Sequence, residues 1–263
     1  MRAYRAVFTA RMAALLQYRA AAVAGLATQF FWGLIRTMIF DAFYRSSSLP
    51  QPMTREQVIT YVWLGQAVFA FLPTWLDSEV QAAIRGGNVS YDLLRPLDLY
   101  RYWYFRNLAA RLAPALLRCS PIFVFGWLFF GLALPASPAA AVMWAVSMLA
   151  ALLLSASICT LTSVSMLWTL SGEGVRLFLG AAVWILCGIV LPLPLFPDWL
   201  QPLLNALPFR GLMDVPFRIW CGHISPAEAV PNILSVFAWT AALIVAGNAL
   251  MARGMRKLVV QGG

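Results

Sequence analysis

The sequence predicts an all-α, polytopic membrane protein, and three observations carry that expectation. The chain is 62% hydrophobic and only 11% charged over 263 residues. Its apolar residues gather into six long stretches, residues 20–43, 59–76, 112–134, 139–168, 177–195 and 231–251. A helix rising ~1.5 Å per residue needs roughly 20 apolar residues to cross a ~30 Å hydrocarbon core, and each stretch is about that long or longer. The third observation is that the charges fall between the stretches, and unevenly. Six spans leave little chain over, so residues 1–263 are expected to form a single transmembrane domain with no soluble catalytic domain.

The formal charge of +9 reads as topology rather than as a nucleic-acid face. Arg2, Arg5, Arg11 and Arg19 precede the first stretch. Arg85, Arg95, Arg101, Arg106 and Arg111 lie between the second and third, Arg176 follows the fourth, and Arg253, Arg256 and Lys257 follow the sixth. The alternate loops hold only Arg45 and Arg55, then none, then Arg210 and Arg218. Basic residues concentrate on the cytoplasmic side, which places both termini inside. The first stretch is too long for a cleavable signal peptide, and Arg36 interrupts it.

Along the chain, Tyr4, Phe8, Met12 and Leu15 share one helical face bordered by Arg5 and Arg11. Residues 1–19 are therefore expected as a helix lying in the inner interface. After the second stretch comes a polar loop, residues 77–111. Its Gly86-Gly87-Asn88 breaks a helix because glycine and asparagine accept positive φ. Ser90 can cap a short helix, Tyr91 to Arg95, that stops before Pro96. Asp92 and Arg95 are spaced to pair. On the residues alone, this segment is either a docked surface helix or a plain solvated loop.

The fourth stretch is rich in hydroxyl and small residues, Ser155 and Thr162 among them. They serve either close helix packing or the lining of a path. Residues 191–230 are crowded with prolines yet also carry Trp199, Leu203, Phe209, Phe217 and Trp220. Two short helices dipping part-way into the outer leaflet, about 198–207 and 211–220, would explain so apolar a loop. Ser225 and Glu228 read as a capping box, with Pro226 at the first helical position of the last helix.

Several chemistries are missing. The one lysine, Lys257, stands in no phosphate-binding loop. His223 is the one histidine, and the four cysteines have no metal-ligand spacing; three fall in spans, so no disulfide framework is expected. No acidic pair lies inside a stretch to relay protons. Arg36 and Arg118 are the basic residues within stretches, with Asp41 near the end of the first. Arg118 is expected to snorkel inward. Arg36 snorkels to the outer interface, pairs with an acid such as Asp41, or lines a path for an anionic group.

Six spans with both ends inside, an interfacial first helix and a proline- and aromatic-rich outer hairpin together resemble the ABC-2 type permease family of ABC exporters. The string from Ile84 through Arg-Gly-Gly-Asn-Val-Ser-Tyr-Asp-Leu-Leu-Arg-Pro-Leu to Asp98 is similar to the inner loop of its bacterial branch, and the resemblance covers essentially the whole chain. It implies a permease subunit without a fused ATPase, in the bacterial inner membrane. Such a subunit pairs with a second permease chain, identical or merely similar, among membrane lipid. The chain itself would bind no cofactor and catalyse nothing, with ATP and magnesium held by separate cytoplasmic ATPase subunits. Arg85, Gly86, Gly87, Tyr91, Asp92, Leu94 and Arg95 would couple to that ATPase, and the path would involve Arg36, Ser155 and Thr162. Pro197, Asp198, Trp199, Pro208 and Phe209 would belong to the outer hairpin. The competing readings are an ion-coupled carrier or channel and a non-transporting subunit of a membrane complex.

Overall fold

A computed structural model describes residues 2–169 and 173–256, without the side chains of residues 19, 21 and 22. Lys257 lies outside the described residues. All regular structure among the described residues is helical. The α-helices are α1 Arg2–Leu16, α2 Arg19–Ser46, α3 Arg55–Ala67, α4 Ser78–Arg85, α5 Val89–Leu93, α6 Leu99–Phe130 and α7 Pro138–Thr169. They continue with α8 Glu173–Leu186, α9 Gln201–Ala206, α10 Asp214–Trp220 and α11 Pro226–Met255.

Among the described residues, four helices are long and apolar enough to cross a membrane: Val23–Ser46 within α2, and the whole of α6, α7 and α11. They account for the first, third, fourth and sixth apolar stretches. The second and fifth form α3 and α8, of 13 and 14 residues. Each is ~20 Å long and is continued by irregular chain. Apolar continuity hid these breaks, but local chemistry explains them. Leu72 precedes Pro73, which disfavours the α region, and it sits at φ −63 and ψ 128. After α8 the chain turns at Gly188, where φ is +89.

Helix α3 is the buried centre. Thr54 and Gln57 form a capping box at its start, and every residue from Val58 to Ala67 is buried. Gly33 of α2 meets the face of Trp63, where an added Cβ would come within 2.8 Å of the ring. Trp63 also stacks on Phe130 of α6, with centroids 4.7 Å apart. Helix α7 packs most extensively against α11. Several of its hydroxyls bond back along their own helix, Thr160 to the Ala156 carbonyl at 2.7 Å and Ser163 to that of Cys159 at 3.0 Å. Small side chains satisfied in this way let neighbouring helices approach closely.

Helix α6 begins earlier than its hydropathy implies, because residues 99–111, expected within the inner loop, are helical. Asp98 caps it by accepting from the Arg101 N–H at 2.8 Å. Tyr100, Tyr102 and Trp103 then bury in a second apolar cluster with Val80, Ile84, Val164 and Met251. That tertiary burial extends the helix where polarity predicts loop.

Candidate functional site

The segment between α3 and α6 forms an arm on one end of the bundle. Asp77 starts it as N-cap of α4, accepting from the Glu79 N–H at 3.0 Å. Val80, Ile84 and Val89 turn inward to the second cluster. Gly87, at φ +69, reverses the chain between α4 and α5. Helix α5 starts about two residues earlier than predicted, with Asn88 as N-cap. Ser90 therefore sits inside it, donating to the Gly87 carbonyl at 3.3 Å.

The expected pair forms, Arg95 to Asp92 at 3.5 Å. Arg95 also donates to the Tyr102 hydroxyl at 3.1 Å and lies over that ring at 5.1 Å. Arg85 pairs with Glu173 at the start of α8 at 3.7 Å. Large apolar side chains also remain outside, beside exposed Asn88 and Arg95. Tyr91 is 69% exposed and Leu94 81%, beside exposed Leu93 and Gly86. A five-residue helix has no stability of its own, so the arm depends on its anchors.

Those anchors are ionic. Asp77, whose side chain is wholly buried, pairs with Arg11 of α1 at 3.2 Å and Arg106 of α6 at 2.8 Å. Glu79 bonds Arg106 at 2.6 Å and also pairs with Arg11. The hydrogen bond from Arg106 is the main cause holding the Glu79 carboxyl below its usual range. Helix α1 presents its expected face, Tyr4, Phe8, Met12 and Leu15 all half-buried, and packs along α6. Tyr4 stacks on Phe105 at 5.6 Å and accepts from the Asp98 N–H at 3.0 Å. The sequence reading passed over Asp77, Glu79 and Arg106 as ordinary loop charges. The signal was the Asp-Ser-Glu run directly after an apolar stretch, in a chain with so few acids.

The expected outer hairpin sits at the opposite end. Pro197, Asp198 and Trp199 are exposed, in a 3-10 turn (Asp198–Leu200) that leads into α9. Pro208 is buried and Phe209 half-buried in a second turn, Pro208–Leu212. From there the chain dives inward, so that α10 packs on α7 and α3. The two arms thus differ: α9 lies at the surface and α10 in the core.

Asp214, fully buried, was not singled out from the sequence. It accepts from the Tyr61 hydroxyl at 3.2 Å and the Leu193 N–H at 3.2 Å, and it pairs with Arg218 at 3.3 Å. Its legible sign was the i,i+4 spacing to Arg218. The capping box of Ser225 and Glu228 forms as read.

Arg36 does not pair with Asp41. That acid is taken by Arg45 at 2.9 Å and Arg55 at 2.5 Å. Arg36 instead donates to the Ile189 carbonyl in the broken chain after α8. Ser155 donates to the Phe71 carbonyl, and Thr162, donating to that of Ile158 at 2.8 Å, is buried as well. These residues are not brought together. Arg36 and Ser155 each quiet a carbonyl freed where a short helix ends, as irregular backbone at membrane depth requires.

Long apolar helices around a buried broken helix, with an ion-tied helical arm at one end, define a multi-pass membrane protein. A family model described as ABC-2 family transporter protein matches residues 18–262. The chain belongs to that family. No curated protein and no solved structure matches it significantly.

Proposed function

We propose that the chain is the membrane-spanning permease subunit of an ATP-driven exporter, and that α4 and α5 receive a separate cytoplasmic ATPase. The observation that carries this reading is the exposed pair Tyr91 and Leu94 on an arm whose base is ionically clamped to α1 and α6. Large apolar side chains held out by so short a helix mark a protein contact. The clamp would carry a push on α5 directly to α1 and α6.

In this reading all six stretches cross the bacterial inner membrane. The second and fifth do so as short helices completed by irregular chain that the protein covers. Both termini face the cytoplasm and residues 191–230 dip into the outer leaflet. A second permease chain, identical or similar, packs alongside, with lipid around both. ATP and magnesium are held by the ATPase. Arg36, Ser155 and Thr162 remain the polar side chains assigned to the path. They would meet a substrate only when α7 and α2 part from their neighbours, since Ser155 and Thr162 are buried and Arg36 is bonded in this state.

The test is a mild-detergent pull-down of the tagged chain from its native cell, with mass spectrometry and an ATPase assay on the eluate. A nucleotide-binding protein should co-purify and be lost when Tyr91 to Arg95 are replaced by Gly and Ser. Recovery of the chain without any ATPase across several detergents would defeat the reading. Cysteines replacing Arg95 and Arg210 should be labelled from the inside and the outside respectively, and the reverse pattern would overturn the orientation.

A further inference from the structure

Behind the arm, between the α1–α2 junction, the turn Phe69–Phe71 and the middle of α6, lies a cavity of about 460 Å³. Three guanidinium groups line it, those of Arg11, Arg111 and Arg118, against one carboxylate, Asp77. Asp77 is already committed, to Arg11, Arg106 and the Glu79 N–H. Arg111 is 5% exposed, and among the described residues it enters no ion pair. Its terminal nitrogens donate to the carbonyls of Leu72 and Trp75, which are neutral, and its Nε has no partner. Gln29, also 5% exposed, lines the same space. Arg118 enters over Gly25, where a Cβ would overlap its guanidinium carbon.

This balance selects an anion. Guanidinium groups match the oxygens of a phosphate in a two-pronged way, and a buried cation without a countercharge is costly. Depth fixes the setting. Roughly 20 residues counted back from Phe130, enough to span the hydrocarbon, reach Ala110 and Arg111. The cavity thus lies near headgroup level, with Trp75, 52% exposed, among its lining. Basic pockets between membrane helices at this depth suit acidic headgroups.

We propose that this cavity binds a phosphate-bearing anion, a lipid phosphodiester headgroup or free phosphate, through Arg111 and Arg118. The assignment does not depend on the exporter reading. Its volume is in the range of small-molecule pockets and leaves room for a glycerophosphate beyond one bare phosphate.

The test is native mass spectrometry of the full chain in mild detergent, offered dioleoyl phosphatidylglycerol, dioleoyl phosphatidylcholine or inorganic phosphate. The unaltered chain should retain phosphatidylglycerol at least tenfold better than phosphatidylcholine. Arg118→Gln, and Gly25→Leu, which fills the space the guanidinium occupies, should each erase that preference, while Arg118→Lys should keep part of it. Retention of phosphatidylglycerol that millimolar phosphate does not displace assigns a lipid headgroup. Displacement by phosphate, lost in the same variants, assigns a free anion. Either outcome supports the site. Equal retention of the two lipids by the unaltered chain overturns it, a comparison that needs no variant to fold. So does a preference unchanged in both Arg118→Gln and Gly25→Leu.

Discussion

At one end of the molecule, α4 and α5 hang from Asp77 and Glu79, which meet Arg11 and Arg106 at the edge of the bundle. At the other end, the chain from Leu193 to Arg218 closes around Asp214, which touches no solvent. Both ends tie short helices to long ones through a carboxylate. They differ in how much water reaches the tie. The Glu79 side chain is 61% exposed, so its pairs can exchange partners with solvent at little cost. Asp214 has no such alternative, and its bonds can be broken only by leaving buried donors unsatisfied. Asp77 is as buried as Asp214, so the arm's tie can loosen only through Glu79, whereas the hairpin's tie has no exposed acid.

The strongest way to break this comparison is Asp214→Ala. It leaves Arg218, Tyr61 and the Leu193 N–H without their acceptor, and should cost about 3–5 kcal/mol. The loss would be seen as a sharp fall in thermal midpoint and yield of the chain in detergent. Asp214→Asn keeps an acceptor and should cost less. A change within error for Asp214→Ala would make the hairpin end no more fixed than the arm.

Asp77→Ala comes next, at about 1.5–3 kcal/mol, because its side chain is buried but both arginines retain Glu79. Hydrogen exchange should speed up in α4 and α5 while α3 and α10 stay protected. Uniform acceleration would show that the arm and the core unfold together.

The smallest effect is acidification. The Glu79 carboxyl is held below its ordinary value of 4.5, so its stabilising share is complete above that value and is lost as the pH falls through the lower folded one. Exchange in α4, corrected for its intrinsic pH dependence, should therefore be flat between pH 7 and 5 and rise below about 4.5. In Glu79→Gln the rise should be smaller. An identical rise in the variant would assign it to another group.

Much of this was legible in the sequence. The four long helices are plain in the hydropathy, and the apolar face of α1, the Gly87 turn, the Asp92–Arg95 pair and the Ser225 cap follow from local rules that survive folding. What stayed hidden depends on partners far along the chain. Residues 59–76 read as one continuous apolar run, and periodicity alone cannot show that its last turn tightens and then opens before Pro73. Residues 99–111 read as loop because they are polar, yet Tyr100 and Trp103 find a cluster assembled from α4, α7 and α11. Asp214 looked like one more loop acid until the fold placed Tyr61 over it. Of the residues expected to line a path, Arg36 and Ser155 could be recognised as backbone partners only once the broken segments were located.

The broken end of α3 also sets an order for biogenesis. The carbonyls of Phe71, Leu72 and Trp75 find their donors on Ser155 and Arg111, residues synthesised well after them. Until Arg111 of α6 and then Ser155 of α7 have been made, the second apolar stretch lacks the native partners of its frayed terminus. It must wait beside the insertion machinery, or lie as a longer provisional helix, until α7 arrives to claim it. A nascent chain stopped before Ser155 should therefore leave this stretch open to protease or cysteine reagents, and one stopped after α7 should close it.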